Sequence, residues 1–267
     1  MSASPPAASR LQGLLDFATE AAWQAGQLVL SRFQADLAVE HKRDGSPVTA
    51  ADREAETLLR GLIASRFPDH AVTGEELGAT DKDSSHRWYL DPIDGTRSYI
   101  RGVPLFGVLL GLEVSGEMVL GVAHFPALGE MLAAATGHGC RWNGRPARVS
   151  SVDRLERALV AYSDAGDLAA HPSGVWESVR KATALQRGWG DCYGHCLVAT
   201  GRAEIMLDAL MNPWDCAALV PILRESGGTF TDWNGRTTIH GGNAVSTNGA
   251  LFEPVMRMLA GGDRAAR

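Results

Sequence analysis

Between residues 106 and 135 the chain changes its hydrophobic period, and that change constrains the fold more than any other feature. Residues 106–114, 118–125 and 131–135 read as three successive strands, with Ser115-Gly116 in the first gap and Asn143-Gly144 following the third. Ser-Gly and Asn-Gly pairs tolerate the positive φ angles of tight hairpin turns. Strands joined so closely pair antiparallel, so this region is expected to be a meander. Before it the period is helical. Leu11, Leu14, Leu15, Ala18, Ala22, Ala25 and Val29 recur on one face of residues 11–33. Thr49, three before Asp52, resembles a capping box that opens a second helix running to about Arg66.

After about residue 150 short strands and helices alternate. Strands are expected at 158–162, 205–207, 229–232 and 245–247, and helices at 175–184, 191–200 and 214–226, the last closed by Gly227-Gly228. Helices, then a meander, then alternation imply a layered α/β architecture. We read residues 1–267 as one structural unit with an N-terminal lobe over about 10–150 and a C-terminal lobe over about 151–262.

Composition excludes several classes. Of 267 residues 45% are apolar and 21% charged, which suffices for a sizeable core. A net charge of -6 argues against a nucleic-acid partner but not against a small anion, because bound cations invert a local field. The four cysteines (140, 192, 196 and 216) have no partners at zinc-finger spacing and read as reduced, buried thiols. Residues 1–10 read as a short disordered lead rather than a signal peptide, and no apolar run matches a membrane span. A cytoplasmic protein without a membrane partner is expected.

Four acidic segments could carry chemistry. Asp91-Pro92-Ile93-Asp94-Gly95-Thr96 follows a strand and sets two carboxylates three residues apart. Gly74-Glu75-Glu76 lies in a loop, Trp214-Asp215 at a helix start, and Asp52 in the capping box. Each has an ordinary reading, as a turn, a solvated surface or a helix cap. Together Asp52, Glu75, Asp91, Asp94 and Asp215 are oxygen donors of the kind hard divalent cations require. Spacing alone does not show that they converge.

These segments, in this order, resemble the signatures of the inositol monophosphatase superfamily. The match includes residues 42–52, Gly74-Glu75-Glu76, residues 88–96, Trp214-Asp215 and Glu225-Ser226-Gly227-Gly228, and spans about residues 10–260. Ser226 departs from it, Ala being more usual there. Arg187-Gly188-Trp189-Gly190-Asp191-Cys192-Tyr193-Gly194, Arg97 after Thr96, and Asn212-Pro213-Trp214-Asp215 resemble the bacterial histidinol-phosphate phosphatases within it.

The resemblance implies a five-layer αβαβα sandwich, a homodimer, and Mg2+-dependent hydrolysis of L-histidinol phosphate. It implies two to three Mg2+ ions: one held by Glu75, Asp91 and the Ile93 carbonyl, a second by Asp91, Asp94 and Asp215, and a third near Glu75 that Asp52 reaches through water. Thr96 and Asp52, with Glu75 beside them, would activate the attacking water. Gly95, Thr96 and Arg97 would bind phosphate, and a loop holding Lys42 and Asp44 would close over the site. Asp191 and Asp208 would face the substrate's nitrogen groups, with Arg187 orienting the acids. The bland alternative for Asp191 is a helix cap after Gly190. Inositol, sugar or nucleotide phosphates are alternative substrates, and a regulatory protein that keeps only the fold is the alternative outside enzymes.

Overall fold

The computed structural model describes residues 7–35, 39–42, 47–170 and 174–261. The first half runs α1 (Ala7–Arg32), β1 (Glu40–His41), β2 (Pro47–Val48), α2 (Ala50–Arg66), β3 (Ala71–Gly74), β4 (Gly78–Ala79), β5 (His86–Asp94), the one-turn α3 (Thr96–Tyr99), β6 (Gly107–Val114), β7 (Glu117–Phe125), β8 (Glu130–Ala135), β9 (Gly139–Trp142) and β10 (Arg145–Pro146). The second runs β11 (Leu159–Tyr162), α4 (Ala165–Ala170), α5 (Val175–Ala182), β12 (Leu185–Arg187), α6 (Asp191–Ala199), β13 (Ile205–Asp208), α7 (Pro213–Ala217), α8 (Leu219–Ser226), β14 (Thr229–Thr231), β15 (Ala244–Thr247) and α9 (Phe252–Leu259).

From β5 to β10 the strands form the expected antiparallel meander within an eight-stranded sheet of order β10-β9-β8-β7-β6-β5-β3-β4. Its turns have the foreseen geometry: φ is 52° and 88° at Ser115-Gly116, and 48° and 76° at Asn143-Gly144. A second sheet, β12-β11-β13-β15-β14, is mixed, with β11 parallel to both β12 and β13.

Strand alternation sorts side chains into three cores. On one face of the large sheet, Trp88, Leu90, Leu110 and Val122 pack with Ala18, Ala22, Leu59 and Ile63 of α1 and α2. On the other, Leu109, Ala123 and Phe125 meet Cys196 and Leu197 of α6 and Ile222 and Leu223 of α8. That middle core also receives Met206, while its neighbours Ile205 and Leu207 point the other way, onto Val179 of α5 and Val255 of α9. The layers are therefore helix, sheet, helix, sheet, helix.

Several elements differ from expectation. α1 begins at Ala7, because alanines propagate a helix ahead of its apolar stripe. The helix expected over 214–226 is two, broken at Ala218. Pro221 has no N–H to give the Ala217 carbonyl, so the ladder fails there. α4 and α9 are short helices that the pattern did not reveal.

That break rests on bare backbone. Gly111 of β6 and Gly121 of β7 are register partners. A Cβ on Gly111 would lie 2.6 Å from Ala217 Cβ, and one on Gly121 only 2.0 Å from the Ala218 carbonyl oxygen. The two glycines let the α7–α8 junction settle onto the sheet, which brings α7 down beside the end of β5. Gly121→Ala is expected to destabilise by at least about 1–3 kcal/mol, the usual cost of overpacking. Denaturant unfolding measures this, and wild-type stability would show that the junction moves freely.

Candidate metal centre and active site

Regular alternation would send Asp91 and Asp94, three residues apart, to opposite faces of β5. Instead the pairing with β6 shifts register between them, and both line one cavity. Asp91 Oδ1 accepts the Ile93 N–H at 3.0 Å. Asp94 Oδ1 accepts the Cys192 N–H, in the first turn of α6, at 2.8 Å. Asp215 arrives from α7 as the third helical residue of a capping box, its Oδ2 accepting the Asn212 N–H at 2.7 Å. One oxygen from each of Asp91, Asp94 and Asp215 lies within 4.8 Å of the others.

Glu75 follows β3, the parallel neighbour of β5, and lines the same cavity. Lys42 reaches both Glu75 and Glu76 at 2.6 Å. Asp44 lies outside the described residues. Asp52 is fully buried in the expected capping box: Oδ2 accepts the Thr49 N–H at 2.8 Å and its hydroxyl at 2.7 Å, while Oδ1 has no hydrogen-bond partner. Asp52 and Asp215 thus share one design, with one oxygen spent on a helix start. Asp52 is not among the residues that line the cavity; Glu75, Asp91, Asp94 and Asp215, which do line it, are all oxygen donors. This set fits a hard divalent cation.

The electrostatics agree. Burial, then Glu75, Asp94 and Asp215, pushes the Asp91 carboxyl well above its ordinary range. Burial, then Asp191 and Asp215, does the same to Asp94. Burial carries Asp215 up to about 7 against the opposing Asn212 N–H. Like charges this close cannot all ionise without a compensating cation.

The cavity, about 350 Å³, is also lined by Ser163, Asp164, Asp167, Asp191, Asp208 and Leu210. Asp191 is not a helix cap: Gly190 holds that position, and the first N–H groups of α6 are taken by Ser163 and Asp94. Thr96 donates its hydroxyl to the Ile93 carbonyl at 2.9 Å, and Asp52 Oδ2 is taken by Thr49. Arg97, 77% exposed, stands 3.9 Å from Asp164. Arg187 is exposed, lies outside the cavity lining and donates to the neighbouring Gln186 carbonyl, because it ends an edge strand. It does not orient the acids as expected. Ser163, Asp164 and Asp167 escaped the sequence reading, since only the β11–β13 pairing brings that loop to the site.

The model of the inositol monophosphatase family matches residues 10–260. The chain belongs to this family. Its members are metal-dependent phosphatases, and the chain is a phosphomonoesterase. A histidinol-phosphatase of Chlorobaculum parvum is 46% identical, over 94% of this chain and 98% of its own. One of Mycobacterium tuberculosis is 37% identical, over 90% and 95%. Among solved structures, the extragenic suppressor protein suhB of Bartonella henselae superposes with a TM-score of 0.87 at 28% identity, covering 95% of this chain and 99% of that one. Among the described residues, no helix of this family member is long and apolar enough to cross a membrane.

Without a cation these carboxyls bind protons more tightly in the folded than in the unfolded chain. The stability this contributes is complete below the unfolded carboxylate range, about 4, and is lost as pH rises toward about 7, the value reached by Asp215 and Asp208. A chelated sample is therefore expected to lose thermal stability between about pH 5 and about pH 8. A divalent cation should raise Tm more at the upper end, and calorimetry with and without chelator reads the difference. An equal rise at both ends would rule out the carboxylates as ligands.

Proposed function

We propose that this phosphatase hydrolyses L-histidinol phosphate to L-histidinol and phosphate, using Mg2+. Asp191 carries the reading. Its carboxylate lines the cavity next to Gly95 and close enough to raise Asp94, and is not spent on capping a helix. A substrate with an ammonium and an imidazole has a use for that charge; a polyol does not. The relatives named histidinol-phosphatase support the same assignment.

Glu75, Asp91 and the Ile93 carbonyl would hold one ion, and Asp91, Asp94 and Asp215 a second, with Asp52 contributing to a third through water. Bound cations supply charge neutralisation for the phosphate dianion and the leaving alkoxide. The residues of the chain do the rest. The one-turn α3 starts at Gly95 with no side-chain cap, leaving backbone N–H groups at Gly95 and Thr96 to meet phosphate. Thr96 spends its hydroxyl hydrogen on Ile93 and keeps its lone pairs to orient a water for in-line attack. Asp52, with Glu75 nearby, takes up the proton. Arg97, mostly exposed, is placed to swing onto the phosphate. A homodimer in the cytoplasm remains part of this reading.

Two substitutions test it. Asp94→Asn keeps an oxygen for the Cys192 N–H but removes a metal-facing charge, and should cost at least about a hundredfold in rate. Full activity of this variant, or of the chelated enzyme, would sink the metal mechanism. Asp191→Asn should lower the preference for L-histidinol phosphate over inositol 1-phosphate about ten- to a hundredfold, the scale of one charge-assisted hydrogen bond. The ratio of kcat/KM values reads this, and a wild-type enzyme that favours inositol 1-phosphate would overturn the assignment.

A further inference from the structure

Ser163 directly follows β11, and Asp208 ends β13. The strands are parallel with Tyr162 opposite Leu207, so the next residue of each lies side by side. Ser163 donates its hydroxyl to Asp208 Oδ2 at 2.5 Å, and its oxygen accepts the Asp191 N–H at 2.8 Å. The other Asp208 oxygen accepts the Leu210 N–H at 3.4 Å. Both oxygens of this buried carboxylate are therefore engaged inside the protein.

Asp191 needs such a hold. Its φ of 53° is left-handed, a conformation that a non-glycine residue keeps only where its surroundings impose it. The preceding residue packs directly on Ser163: a Cβ on Gly190 would lie 2.4 Å from Ser163 Cα. On its other side the Asp191 carboxylate closes on Gly95, where Oδ2 stands 3.2 Å from the position of an added Cβ. The next N–H, from Cys192, holds Asp94. Ser163 is thus the point through which the small sheet fixes the start of α6 against the phosphate end of the cavity.

We propose that Ser163, held by Asp208, is a positioning residue that keeps Asp191 in its left-handed conformation and so sets the substrate selectivity of the site. Asp208 then acts through Ser163 and not on the substrate. The inference deepens the histidinol phosphate reading and rests on it for the identity of the favoured ester.

The test is the ratio of kcat/KM for L-histidinol phosphate to that for inositol 1-phosphate, with Mg2+, in wild type, Ser163→Ala and Asp208→Asn. Ser163→Ala removes the acceptor for the Asp191 N–H. It should move the ratio at least about tenfold toward parity, mainly through KM of the favoured ester. Asp208→Asn keeps an oxygen that accepts the Ser163 hydroxyl but loses the charge, and should shift the ratio less than about threefold. If the alanine variant does not fold, Ser163→Cys retains the volume, weakens both hydrogen bonds and should move the ratio at least about threefold. A folded Ser163→Ala or Ser163→Cys protein with the wild-type ratio would overturn the inference. So would an Asp208→Asn loss as large as that of Asp191→Asn, which would place the Asp208 charge on the substrate. A wild-type preference for inositol 1-phosphate would remove the histidinol assignment alone; the positioning role would still require Ser163→Ala to shift that preference.

Discussion

Three acidic oxygens held within 4.8 Å of one another, from Asp91, Asp94 and Asp215, are the constraint to which the surrounding structure answers. Buried carboxylates at that separation repel one another and raise each other's pKa, so the folded chain reaches full charge there only with a cation in place. The ordinary elements of the fold are arranged to hold them against this repulsion: a register shift in β5, a capping box at α7, and the first N–H groups of α6.

The capping boxes show how little extra machinery this takes. In Asp52 and Asp215 one oxygen satisfies the backbone N–H of the N-cap residue, which orients the carboxylate as firmly as any side-chain network could. The second oxygen is left over. Removing Asp215 would therefore weaken a helix and alter the site together. Gly111 and Gly121 complete the arrangement, since a Cβ on either would lift the α7–α8 junction and draw Asp215 away from β5.

α6 links the two halves of the site. Its apolar face is shared by both sheets in the middle core, while its first turn meets Asp94 on one side and Ser163 on the other. Asp94 and Ser163 are thereby tied to the same helix start. A disturbance at Ser163 has a short path to the metal ligands.

Much of this was legible in the sequence, for identifiable reasons. Helical and strand periods, the two type I′ turn pairs, the Thr49–Asp52 capping box and the order of the acidic segments are local, and local patterns survive without knowledge of the fold. They yielded the meander, the layered class, the family and the candidate ligands. Other features depended on residues far apart in the chain. The break at Ala218 follows from Pro221 and from glycines on two distant strands. Arg187 lies outside the cavity because it ends the edge strand of the second sheet. The placing of Ser163 beside Asp208 depends on how β11 and β13 are registered, which neither segment encodes by itself. The sequence determined which groups could carry the chemistry, through side-chain type and short-range spacing; the tertiary structure decided which of them share a cavity, because convergence and shared burial are properties of long-range packing.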